Sequence, residues 1–129
     1  MPTFTGIHWV RILIGGLLAE VSVIAFVIPM SLLFGQHSLL YTAPPASMVA
    51  CFLFALWVGR RIDSHFVLHG ALVGVVATLI YVALTRAQPE PWPYIVAHAL
   101  KILGGAAGGL LVARPKNPLG SIGNHQLTK

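Results

Sequence analysis

Four long runs that are apolar and nearly free of charge constrain this chain more than anything else in it. Ile12 to Phe34 carries one acidic residue, Glu20, and Pro29 near its far end, where a kink is expected. Pro45 to Gly59 carries no charge and is short, although Leu39 to Ala43 extends it. Phe66 to Leu84 carries none, and Pro93 to Ala113 carries only Lys101. At 1.5 Å per residue, about 20 apolar residues match the roughly 30 Å hydrocarbon core of a bilayer. In lipid the backbone has to satisfy itself, so each run is read as a helix. Charged residues make up 9% of the chain and hydrophobic residues 57%, against roughly 25% charged in a typical soluble domain. A soluble protein of 129 residues has too little interior to hide that much apolar surface.

The expected fold is therefore all-α: an antiparallel bundle of four transmembrane helices within residues 1–113. Residues 114–129 form a basic tail without apolar periodicity, expected to be disordered and cytoplasmic. The first run is too long for a signal-peptide core and no small-x-small cleavage pattern follows it, so it is expected to be retained. The Pro44-Pro45 pair fits the start of the second helix, where a missing N–H is harmless.

Arginine and lysine positions set the orientation. Arg11 precedes the first span, Arg60 and Arg61 lie between the second and third, and Arg114, Lys116 and Lys129 follow the fourth. The other two connections hold only Arg86. An excess of Lys and Arg marks the cytoplasmic side. Both termini are thus expected in the cytoplasm, with the chain in the plasma or inner membrane and the bilayer as its first partner. Trp9, Trp57, Trp92 and Tyr94 fall near the expected interfaces. The net charge of +5 sits in these short flanks, which argues for membrane orientation and against a nucleic-acid partner. The single cysteine, Cys51, cannot form an intrachain disulfide and reads as a small hydrophobe in an apolar run.

Small residues recur at helical spacing: Gly15 and Ala19 on the first span, Gly70 and Gly74 on the third, and Gly104, Gly105, Gly108 and Gly109 on the fourth. Such patterns let membrane helices approach closely. They serve either packing within the bundle or the interface of a homodimer or larger membrane complex.

The two charges inside the spans carry most of the functional information. A lysine at mid-membrane costs roughly 2.5–3.5 kcal/mol on insertion scales. Glu20 is the only acidic residue in any span, hence the natural partner of Lys101. Counted at helical rise, Glu20 lies about 13 Å from Arg11 and Lys101 about 20 Å from Arg114. Side chains lean toward a helix's amino end, so on these depths Lys101 leans outward and Glu20 inward, which leaves direct contact open. Tyr94, His98, Lys101, Gly105 and Gly108 form one stripe of the fourth helix. Gly74, Thr78, Tyr81 and Thr85 form one on the third, from which Thr78 and Tyr81 could hydrogen-bond His98 or Lys101. The pair reads either as a structural tie fixing helix register or as a site where Glu20 exchanges protons or a cationic substrate against Lys101.

His65 and His69, four residues apart, have the spacing of a two-histidine metal grip, with Asp63 or His8 as a third ligand. The competing reading has Asp63 or Ser64 capping the third helix and the histidines solvating its end. The chain has no phosphate-binding glycine loop with Lys-Ser/Thr, no nucleophile elbow, no Cys-x-x-Cys and no carboxylate pair for acid–base work. It carries no enzymatic signature, and no catalytic residue or cofactor is expected. The stretch GGLLAEV, Gly15 to Val21, resembles the first helix of small multidrug-resistance transporters. The resemblance implies that Glu20 would bind protons and lipophilic cations in alternation, in a dimer. It covers seven of 129 residues. The other spans do not follow that family's pattern, and Lys101 is out of keeping with a cation site. The expectation is an accessory or structural membrane protein with a buried Glu20–Lys101 pair. A small dimeric transporter or proton-coupled exporter is the main alternative, and a metal-binding membrane protein the third.

Overall fold

The computed structural model describes residues 6–86 and 88–113. It is all-helical: α1 Trp9–Phe34, a 3-10 turn Gln36–Ser38, α2 Leu39–Gly59, α3 Phe66–Leu84 and α4 Trp92–Val112. All four α-helices are long and apolar enough to cross a membrane, which marks a multi-pass membrane protein. The basic tail lies outside the described residues.

α3 has the bounds expected of it, and α4 begins and ends one residue earlier. α1 begins three residues sooner, at Trp9. The start of α2 is a correction. Pro44 and Pro45 lie inside the helix rather than at its first turn, and Leu39 to Ala43 belong to it. The shorter segment would cover only about 22 Å, whereas 21 residues cover about 31 Å. Pro29 likewise lies inside α1, which is continuous to Phe34.

Close contacts define an up-and-down bundle. Gly70 packs on the backbone of Gly105, and Gly74 on that of Lys101, so α3 and α4 run antiparallel. Gly104 meets the backbone of Met48 and Gly108 that of Phe52, so α2 and α4 run parallel. His8, just before α1, bonds to His69, and Gly16 further along packs on Val73 and Val76, so α1 and α3 run parallel. α4 touches α2 and α3, and α1 touches the same two helices. The backbones of α1 and α4 do not approach each other: they occupy opposite corners. The two glycine stripes of α4 are both used inside the chain, Gly104 and Gly108 against α2, Gly105 and Gly109 against α3.

The interior is layered. Ile12, Val58 and Val73 fill the end at which α1 begins. Ala19, Val23, Ala50, Cys51 and Ala77 fill the middle. These middle residues are small, and that leaves room at the centre for two long polar side chains. Leu17, Leu32, Leu33, Leu103 and Leu110 point outward, as the lipid-facing side of such a bundle requires.

Candidate functional site

Glu20 and Lys101 meet at the centre. Lys101 Nζ donates to Glu20 Oε2 at 2.7 Å, and both side chains are almost wholly buried. Glu20 comes from α1 and Lys101 from α4, the two helices whose backbones stay apart. The ion pair therefore bridges the diagonal of the bundle.

The register between helices explains how they reach each other. Gly16 is level with Val73 and Val76 on α3, so Glu20, one turn further along, is level with α3 beyond Val76. Lys101 packs against Gly74. Measured on α3, Glu20 is thus about one turn further from the amino-terminal end of the bundle than Lys101. The depths counted from Arg11 and Arg114 had the opposite order. With the true order, a lysine leaning toward the start of α4 and a glutamate leaning toward the start of α1 converge.

Aromatic groups close the site toward the α3–α4 connection. Lys101 Nζ lies 4.9 Å from the centre of the Tyr81 ring, within cation–π range. Tyr81 also stacks with Tyr94 at 6.4 Å and meets the His98 ring at 5.1 Å. His98 Nε2–H donates to Glu90 Oε2 at 3.0 Å, in a pair that is partly exposed. Among the described residues, two buried side-chain polar atoms lack a partner, Glu20 Oε1 and His98 Nδ1. They sit at the two ends of this cluster.

Of the residues expected at the site, the structure thus gathers Glu20, Lys101, Tyr81, His98 and Tyr94. Thr78 is not part of it: its hydroxyl donates to Gly74 O in its own helix at 3.0 Å. A threonine in a helix can always make this local bond, which competes with any partner across the interface. Glu90 was missed. It lies in the non-helical connection just before α4, so no helical spacing pointed to it; the only signal was that it is the one acidic residue in that connection. Gly16 was missed as a packing residue although it lies beside Gly15. Glu90→Gln is expected to lower stability by less than about 1 kcal/mol, because a partly exposed pair gains little. Thermal unfolding in detergent checks this; a loss as large as that of Lys101→Met would contradict it.

The structure does not arrange His65 and His69 as a metal grip. His65 precedes α3 in a left-handed conformation, φ 53°, so it is not a helical residue one turn before His69. His69 is fully buried with both ring nitrogens engaged. Nδ1–H donates to His65 O at 2.9 Å, and Nε2 accepts the His8 backbone N–H at 3.1 Å. His69 thereby ties the start of α1 to α3. Asp63 and Ser64 do not cap α3, whose first turn has no side-chain cap. No group of three His, Cys, Asp or Glu side chains with metal-holding geometry occurs among the described residues.

Compared with protein families, with curated proteins and with solved structures, the chain finds no match.

Proposed function

We propose that this chain is a non-enzymatic, multi-pass protein of the plasma or inner membrane, an accessory or assembly subunit with both termini in the cytoplasm. Its bundle is braced by the Glu20–Lys101 pair. The observation that carries this reading is the ion pair joining two helices that otherwise stay apart. A buried pair adds little net stability over apolar residues of the same volume, and its best-attested use is to specify one register. Because the backbones of α1 and α4 do not approach each other, the pair is the contact that relates their registers across the diagonal. The bilayer is its solvent, and a homodimer or a larger membrane complex is the setting in which such a subunit acts.

One observation favours a second reading. Glu20 Oε1 is buried and unpartnered among the described residues, a spare acceptor where a proton or cation could bind. On that reading the chain is a small dimeric transporter or proton-coupled exporter with Glu20 at its site.

Two measurements test the proposal. In sealed cells, a membrane-impermeant maleimide is expected to label His37→Cys from outside and to leave Ser64→Cys unlabelled until the membrane is opened. The reverse pattern would overturn the orientation. In proteoliposomes under a pH gradient, the parent protein is expected to leak protons no faster than Glu20→Gln. A flux that Glu20→Gln abolishes would replace the structural reading by the exporter.

A further inference from the structure

An open groove of about 720 Å³ runs along α1 and α2, on the side of the bundle away from the Tyr81 cluster. Ser22, Val23 and Phe26 form one wall, and the other follows α2 from Tyr41 to Trp57. The helical rise from residue 41 to residue 57 is about 24 Å. That length suits an extended polymethylene chain lying along α2, with Ser22, Val23 and Phe26 beside its middle.

Its chemistry agrees. The hydroxyls of Ser22 and Thr42 are spent inside their own helices, on Leu18 O at 2.8 Å and Ser38 O at 2.9 Å. The rest of the lining up to Trp57 is mainly apolar, with the Tyr41 side chain at the opposite end, so an apolar occupant strands few polar groups. The Trp57 end is different. The Arg61 guanidinium lies 4.4 Å from the centre of the Trp57 ring, and Arg60 is exposed beside it. Neither forms an ion pair with a carboxylate among the described residues. Asp63 is the one acidic side chain nearby in sequence, and it is exposed. The Trp57 end of this apolar groove thus carries the Arg61 cation, with the exposed Arg60 next to it in sequence.

We propose that this groove is a binding site for an anionic phospholipid, with one acyl chain between α1 and α2 and the headgroup phosphate on Arg61 and Arg60. Planar guanidinium groups recognise phosphate by paired hydrogen bonds. The proposal rests on the membrane reading above and goes beyond it by naming a ligand class and a site.

The test uses Trp57 as the reporter, in full-length protein carrying Trp9→Phe and Trp92→Phe and reconstituted in phosphatidylcholine vesicles. Brominated phosphatidylglycerol or brominated phosphatidylcholine is added at equal mole fraction and quenching is read. Trp57 is expected to select the anionic lipid by about fivefold or more, the gain one basic residue makes near an anionic surface. Arg61→Gln is expected to remove most of that preference and Arg61→Lys to keep part of it. Ala46→Phe, which fills the groove, is expected to lower quenching by both lipids. A single-tryptophan protein retaining Trp92 instead should show no preference. Equal quenching of Trp57 by the two lipids, or a preference that survives Arg61→Gln, would overturn the lipid site alone. If neither lipid quenches Trp57, the ring is not in a bilayer, and the membrane reading fails together with the site.

Discussion

Lys101→Met is expected to destabilise the bundle by about 3–5 kcal/mol, the loss seen when one member of a buried ion pair is removed. The methionine fills similar volume, so the loss does not come from a cavity. It comes from Glu20, which is left almost wholly buried with neither oxygen partnered among the described residues. Glu20→Gln should cost less. The lysine it strands still faces the Tyr81 ring at 4.9 Å, and a desolvated cation–π contact contributes about 2 kcal/mol. The expected order of stability is therefore parent, Glu20→Gln, Lys101→Met. Thermal unfolding in detergent reads it, and equal shifts for the two variants would show that Tyr81 does not hold the ammonium.

The second large effect is expected at the α3–α4 seam. A Cβ added at Gly70 would collide with the carbonyl oxygen of Gly105, and one added at Gly105 with the carbonyl oxygen of Gly70. A flexible side chain can move aside, but the helix backbone cannot without parting α3 from α4. Gly70→Ala and Gly105→Ala are each expected to cost about 3 kcal/mol, the upper end of the usual overpacking range. Gly59→Ala is the graded comparison: its new Cβ would press on the Val112 side chain at 3.0 Å, which can give. Ala107→Leu, on the exposed face of α4, is expected to change nothing measurable. Gel-filtration profiles and unfolding midpoints in detergent separate these cases. A Gly70→Ala protein as stable as the parent would mean that the seam is looser than the structure has it.

Much of the fold is legible in the chain because lipid imposes a length and forbids charge. Phe66 to Leu84 and Pro93 to Ala113 are bounded by charges, prolines and turn residues, and the helices follow those bounds within a residue. The start of α2 is less legible, because two local rules conflict. The prolines mark a first turn, while the bilayer demands about 20 residues, and length prevails. The candidate site is legible in its members and not in its geometry. Two lone opposite charges point to each other whatever their register. Their relative depth depends on how α1 and α4 each pack on α3, through Gly16 and Gly74, and no count along a single helix contains that. Thr78 shows the opposite failure, since its place on the inward stripe says nothing about the carbonyl of its own helix that takes its proton.

The central claim is that Glu20 and Lys101 act as one unit across the diagonal of the bundle. It is tested most directly by the unfolding of four proteins: the parent, Glu20→Gln, Lys101→Met and the double variant. Coupled residues show interaction energies of about 0.5–3 kcal/mol, whereas independent sites add. The expected result is a double variant that recovers most of the stability lost by Lys101→Met, because no charge is then left buried. If the two losses simply add, the side chains do not depend on each other and the brace does not exist.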